Sequence, residues 1–260
     1  MSDNPLLSKL RIPGAIYQLP SGGYFYNNGE LSSDTENGEI HVHPLSAITE
    51  INLKNPDMLF SGKAVESVFR ECIPQIQKPL ELFGRDVDAI MCYLRMVTYG
   101  TAYDVSARHN CENSKQHKYT INLDGIARAA EILDPTTIKD RYTITLTNGQ
   151  VVELEPIRFK HIVEMLQQAD ANKEMSVDDM KSGITKNLLN SIKSVDGIQD
   201  KALIADWILA VPGPIMNTLT AAIEKSNSWG LDYMQTVKCP DCGEEFTIEV
   251  PVNPVSFFSA

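Results

Sequence analysis

Two cysteines near the C-terminal end of the chain have the residue type and spacing that most favour chemistry. Cys239 and Cys242 lie in the run Cys-Pro-Asp-Cys-Gly at residues 239–243. Two thiolates three residues apart on a tight turn can both reach one metal ion, at about 2.3 Å. The proline shapes the turn, and the glycine lets backbone amides point at the sulfurs. Because an alternating, strand-like run follows at residues 246–250, the segment predicts one half of a zinc ribbon.

A structural zinc site needs four ligands, so a second half must lie elsewhere in the chain. The best candidate surrounds Cys111, because residues 119–123 repeat the aromatic-Thr-Ile-polar-aliphatic order of the later strand. A Cys-x-x-Cys pattern would place its first cysteine at position 108, which is Arg108. His109 can supply the missing ligand, and His117 is the alternative fourth ligand. The predicted ligand set is His109, Cys111, Cys239 and Cys242.

The predicted zinc site is structural, because a catalytic zinc keeps an open position for water and a nearby general base. Glu244 and Glu245 follow Cys242, but no other candidate catalytic residue lies near them in the sequence. The alternative to a metal is a ribbon held by packing, with free thiols. The sequence contains no nucleophile elbow, phosphate-binding loop, dinucleotide fingerprint or His-Glu-x-x-His run. We therefore expect neither an enzyme activity nor a small-molecule substrate.

The composition of the chain indicates in which compartment it is made and which classes of partner it favours. The 260-residue chain has a formal net charge of -11, which disfavours nucleic acid because that affinity rests on Lys and Arg. It has an odd number of cysteines, five, and no segment resembling a signal peptide. No window of about 18 apolar residues predicts a membrane span. We expect synthesis in a reducing compartment, where closely spaced cysteines are more typical of metal ligands than of disulfides.

Apolar periodicity and turn chemistry indicate the elements that must position these residues. Asn148 and Gly149, between the β-branched runs 142–146 and 151–154, predict a hairpin. Ser46 is a predicted helix N-cap, and Gly100 a predicted helix end. The predicted helices are residues 46–53, 62–72, 86–99, 126–133, 159–168, 176–193, 200–210 and 215–225.

These elements predict an α+β fold in five segments. It would combine an extended N-terminal β arm, a discontinuous zinc-ribbon-like β element and a mostly helical insertion with one hairpin. Within the arm, residues 16–19 and 24–26 flank a Pro-Ser-Gly-Gly turn as two short strands. The segments are the arm (1–60), a helical segment (61–101), the first ribbon half (102–125), the insertion (126–231), and the second ribbon half with the C-terminal tail (232–260).

Several short motifs, each weak alone, become specific through their order and spacing. They lie at residues 19–23, 38–40, 43–46, 55–56, 62–65, 94–95, 99–100, 239–243, 253–254 and 257–258. Together they resemble the baseplate protein family of T-even-like myophages, which includes baseplate hub and hub-assembly proteins. The resemblance covers most of residues 12–125 and 233–258, and Arg108 departs from it where a cysteine is expected.

The resemblance implies a structural or assembly role in a contractile-tail baseplate, with other phage tail proteins as partners. It implies a location in the virion tail baseplate, or in the host cytoplasm during assembly. We expect the Gly-rich arm and the apolar pair Phe257 and Phe258 to be exposed and to dock against partners. One alternative is a zinc-ribbon nucleic-acid-binding or transcription regulator, which the acidic residues around Cys239 and Cys242 disfavour. The other is a metalloenzyme, which would need an open coordination position.

Overall fold

The computed structural model describes residues 13–55, 58, 61–112, 115–169, 185–252 and 257–258. Within these ranges the chain is a mixed α+β fold, as predicted. The strands are β1 (Ala15–Gln18), β2 (Glu39–Val42), β3 (Ala102–Arg108), β4 (Gln116–Asn122), β5 (Thr143–Thr145), β6 (Val151–Leu154), β7 (Ile192–Val195), β8 (Met234–Lys238) and β9 (Glu245–Glu249). The helices are α1 (Ala47–Leu53), α2 (Lys63–Cys72), α3 (Gly84–Tyr99), α4 (Leu123–Arg128), α5 (Ile138–Arg141), α6 (Phe159–Ala169), α7 (Lys201–Ala210) and α8 (Gly213–Ser226), with a 3-10 turn at Pro79–Glu81 and further helical residues at 185–191.

Helix α3 is the centre of the main hydrophobic core. Its residues Ile90, Cys92 and Leu94 are fully buried. The helix ends at Gly100, whose positive φ of 89° suits glycine and whose N–H donates to the Met96 carbonyl at 2.9 Å. The predicted end of this helix is confirmed. None of the helices in the described ranges is long and apolar enough to cross a membrane.

The main core is closed by both ends of the described chain. Leu19, Ile40 and Val42 come from the N-terminal sheet, and Phe257 and Phe258 come from the C-terminal end; all five are fully buried. The expectation of an exposed phenylalanine pair is therefore wrong, and the described part of the arm is exposed only in part. Burying a large apolar side chain contributes about 1.5–3 kcal/mol, which favours folding these segments inward.

The N-terminal segment is fixed by a buried polar junction. The β1 strand pairs with β2, so the strand predicted at residues 24–26 is wrong. Asp86 at the start of α3 instead holds the turn, accepting hydrogen bonds from the Ser21 N–H at 2.9 Å and the Tyr26 hydroxyl at 2.7 Å. Burial raises the pKa of Asp86 to about 6, although these hydrogen bonds lower it.

A second hydrophobic core lies between residues 138 and 223. The predicted hairpin is confirmed as β5 and β6, with Thr145 opposite Val151. A third strand, β7, pairs with β6, and Ile192 and Val195 are buried there. The prediction of one helix over 176–193 is therefore wrong at its C-terminal end, while residues 176–184 lie outside the described residues.

Among the helices described, α3, α4 and α8 differ from their predicted boundaries by two residues or more. Helix α3 begins at Gly84 rather than at residue 86. The α4 helix occupies Leu123–Arg128 rather than residues 126–133, because the side chain of Asn122 caps it by accepting from the Asp124 N–H. Helix α8 begins at Gly213 and includes Pro214 in its first turn, where a missing N–H costs nothing.

Candidate metal centre

Two antiparallel hairpins of the main core position the predicted ligands. The β3–β4 hairpin closes at the pair Arg108 and Gln116, and the β8–β9 hairpin closes at Lys238 and Glu245. The chain turns immediately after each closing pair. We name residues 109–111, after β3, the first knuckle and residues 239–243, after β8, the second knuckle.

The second knuckle is a tight turn fixed by its own backbone. The Cys239 N–H donates to the Glu244 carbonyl at 2.8 Å, and the Gly243 N–H donates to the Cys239 carbonyl at 2.9 Å. Gly243 has a φ of 79°, which glycine adopts without strain. Cys239 is 1 % exposed, whereas Cys242 is exposed. One sulfur of this knuckle therefore faces the protein and the other lies nearer the solvent.

The first knuckle presents a histidine and a cysteine. The Cys111 N–H donates to the His109 carbonyl at 3.1 Å. The His109 ring stacks on Phe246 of β9 at a centroid distance of 4.7 Å. Tyr119 of β4 meets the same phenylalanine edge-on at 5.9 Å. These rings hold the two hairpins together and orient the imidazole.

The structure brings the four predicted donors together. One ligand atom from each of His109, Cys111, Cys239 and Cys242 lies within 4.8 Å of the others. The sulfurs of Cys111 and Cys239 are 4.0 Å apart, and the Cys242 sulfur lies 3.3 Å from His109 Nδ1. A tetrahedral zinc would set an S–S distance of about 3.8 Å and an S–N distance of about 3.6 Å. The two measured distances are close to these values, so the four donors lie near the positions that one tetrahedral ion would require.

The structure does not bring His117 into this group of donors. Its Nε2 lies 2.7 Å from an Asp241 carboxylate oxygen, which also accepts from the Lys115 N–H at 3.0 Å. We name Asp241, His117 and Lys115 the cross-hairpin clamp. The hydrogen bond with His117 holds the pKa of Asp241 below its usual value, and the Lys115 N–H acts in the same direction. The sequence carries no spacing signal for this clamp, because its members are 124 and 126 residues apart.

The electrostatics of the sulfurs favour a cation among them. Burial raises the pKa of Cys239, but hydrogen bonds from the backbone N–H groups of Cys242 and Asp241, with those of the Cys242 and His109 side chains, lower it to about 7. Burial, together with the neighbouring thiols, raises the pKa of Cys111 to about 12. Three thiolates this close repel one another unless a cation offsets their charge. Metal binding and deprotonation of these cysteines would therefore proceed together.

The other two cysteines lie apart from this centre. Cys72 and Cys92 are buried in the main core, and burial raises the pKa of each thiol to about 12. A buried, protonated thiol acts as a small apolar side chain. Both residues therefore serve as core residues of the fold.

Comparison with known proteins places the chain in a family. The family model described as T4 bacteriophage base plate protein matches residues 44–259, a span that includes both knuckles and the second core. The chain belongs to this family. No curated protein and no solved structure matches it. As a base plate protein it is a structural protein of the phage tail, with other phage proteins as partners. The resemblance read from the short motifs is confirmed at the level of the family.

Proposed function

We propose that the chain is a non-enzymatic structural or assembly protein of the baseplate hub, acting through protein–protein contacts. The family match over residues 44–259 is the observation that carries this proposal. The net charge of -11 supports protein partners over nucleic acid, because phosphate backbones repel an acidic surface.

We further propose that a structural zinc ion joins the two hairpins. The support is the convergence of His109, Cys111, Cys239 and Cys242, whose contacts span 128 and 133 residues of chain. Four protein donors complete the usual tetrahedral coordination of zinc and leave no position for a reactive water. The ion would fix the first hairpin to the second, and thereby fix the two ends of the intervening segment.

Elemental analysis of the purified protein tests the zinc proposal. We expect about one zinc per chain, with the metal lost in Cys239→Ser and in His109→Ala. Two matched variants serve as controls: Cys92→Ser removes a thiol from the main core, and His117→Gln removes the clamp histidine. Both should retain zinc. A wild-type protein without zinc would contradict the proposal, as would zinc lost in His117→Gln but retained in His109→Ala.

Quantitative mass spectrometry of purified phage tails and of tail-assembly intermediates tests the baseplate role. A structural protein is present in both samples, in a fixed ratio to other baseplate proteins. An assembly factor is present only in the intermediates. Absence from both samples, while the chain is expressed during infection, would contradict the proposed function.

A further inference from the structure

Helix α7 of the second core has an apolar face that no described residue covers. At helical spacing its outward residues form one continuous face, 202, 203, 206, 209 and 210, all of which are exposed. Leu203 is 56 % exposed and Leu209 is 65 % exposed. Apart from Asp206, the face consists of leucine and alanine. A helix that is apolar all round is normally buried on every side, so this face has the composition of a buried one.

The exposure does not come from a loosely held helix. The opposite face buries Ile204 and Ile208 in the second core. The Asp200 side chain caps the N-terminus, accepting from the Ala202 N–H at 2.8 Å. Lys201 Nζ donates to the Ile192 carbonyl at 2.6 Å, and Trp207 Nε1 donates to Gln150 at 3.0 Å. Helix α7 therefore presents its leucines on a rigid support.

Asp206 lies at the centre of the exposed face and gives the face a charge preference. Within the described part of the chain its carboxylate has no hydrogen bond and no ion pair. The nearest lysine in the helix, Lys201, is already engaged with Glu155 and with backbone carbonyls. An apolar surface with one central acid is complementary to an apolar surface with one central base.

We propose that the outward face of α7 is a docking site for an amphipathic segment of another baseplate protein, carrying one Lys or Arg among apolar residues. This inference rests on the proposed protein–protein role of the chain. A second copy of the chain is a poor occupant, because a two-fold pairing of this face would bring two Asp206 carboxylates together. Both copies would also carry a net charge of -11.

Site-specific photo-crosslinking during phage infection identifies the occupant. A photoreactive amino acid replaces Leu209, and Ile51, an aliphatic residue of α1 that is 62 % exposed, receives it as the matched control. We expect Leu209 to crosslink to an apolar segment of another baseplate protein that contains a central Lys or Arg. Crosslinks to a second copy of the chain, or to residues 170–184 of the same chain, would overturn the proposal. So would crosslinks from position 209 that match those from position 51 in both yield and partner proteins.

Charge substitution measures the contribution of the face to assembly. We expect Leu203→Glu/Leu209→Glu to lower incorporation of the chain into tails or assembly intermediates at least about tenfold, because desolvated interface anchors dominate binding. Ile48→Glu/Ile51→Glu, at 60 % and 62 % exposed positions of α1, is the matched control and should leave incorporation unchanged. Both variants should melt as the wild type does, because the substituted side chains contact solvent.

Charge reversal provides the specific test. Asp206→Lys should reduce incorporation, and replacing the crosslinked partner's basic residue by Asp should restore it. If the wild-type chain enters tails or intermediates while the α7 variants enter equally well, the docking site is wrong and the baseplate role stands. If the wild-type chain enters neither, the proposed function itself fails.

Discussion

The two knuckles of the candidate metal centre occupy the same place in their hairpins but differ in ligand type and spacing. His109 directly follows β3, and Cys239 directly follows β8. The second donor comes two residues later in the first knuckle, at Cys111, and three residues later in the second, at Cys242. The second knuckle is closed by two backbone hydrogen bonds and buries Cys239. In the first knuckle, the His109 ring instead stacks on the Phe246 ring of the other hairpin.

For the proposed zinc site, this difference indicates that the end of the strand, rather than a Cys-x-x-Cys pattern, sets where a donor can lie. Position 108, where a cysteine is expected from the family resemblance, is the last residue of β3 and pairs with Gln116. Its side chain occupies a strand position, and the next residue, His109, is the one that joins the group of four donors. An imidazole reaches further than a thiol, and it needs the ring contact to stay oriented.

The largest expected effect follows from removing the buried sulfur of the second knuckle. Cys239→Ser should abolish zinc binding and lower the melting temperature by on the order of 10 °C, because losing a structural metal removes folding free energy. Cys242→Ser should have a smaller effect, because a water can approach the exposed position. Elemental analysis and differential scanning calorimetry measure both. Equal losses in the two variants would contradict the asymmetry of this knuckle.

Moving a cysteine within the first knuckle tests the strand-end rule. His109→Cys should retain about one zinc per chain, because the thiol occupies the position equivalent to Cys239. Arg108→Cys combined with His109→Ala should not bind zinc, although it restores the Cys-x-x-Cys pattern with Cys111. Elemental analysis distinguishes the two variants. Zinc recovered in the double variant would show that the first knuckle can shift its register, and that the comparison between strand ends is wrong.

Removing the ring beneath His109 should have an intermediate effect. Phe246→Ala loses the stacked imidazole and the edge-on contact with Tyr119, and should lower the free energy of unfolding by about 2 kcal/mol. Zinc should still bind, but more weakly, as chelator competition would show. Tyr119→Phe keeps its ring and is the matched control, expected to change neither quantity. An unaltered zinc affinity in Phe246→Ala would mean that the ring does not orient His109.

The smallest expected effect concerns the cross-hairpin clamp. The folded-state pKa of Asp241 is lowered, so its stabilisation is present above the unfolded pKa of about 3.9 and is lost as pH falls through the folded pKa. In metal-free protein, Asp241→Asn should be less stable than the wild type at pH 6, and this difference should shrink toward pH 3. Urea unfolding at both pH values measures it. A stability difference that is constant with pH would show that the carboxylate charge contributes nothing. The zinc stoichiometry of Asp241→Asn at pH 7 should equal that of the wild type.

The local parts of the fold were predictable because their determinants are adjacent in sequence. Ser46 caps α1 by accepting from the Thr49 N–H, and Gly100 ends α3, as turn and cap chemistry predicts. The Asn-Gly turn predicted the β5–β6 hairpin for the same reason. The four metal donors could be proposed because ligand count demanded a second knuckle and a similar strand run followed Cys111.

Features that depend on distant segments could not be predicted. The burial of Phe257 and Phe258 requires a space in the main core, where Tyr103 meets the ring of Phe257 and the Tyr99 hydroxyl donates to the Phe258 carbonyl. A short apolar run has the same sequence pattern whether its side chains are buried in a core or exposed at the surface. The β7 strand likewise forms because its backbone pairs with the free edge of β6. The local sequence of residues 192–195 does not reveal this pairing.

X-ray absorption at the zinc edge of the purified wild-type protein tests the zinc-joined pair of hairpins most directly. Three sulfurs at about 2.3 Å and one nitrogen at about 2.0 Å would be the signature of Cys111, Cys239, Cys242 and His109 around one ion. His117→Gln should give the same spectrum. A shell of two sulfurs completed by oxygen or nitrogen, or a nitrogen lost in His117→Gln, would contradict the assignment of His109 and Cys111 as the first knuckle's ligands.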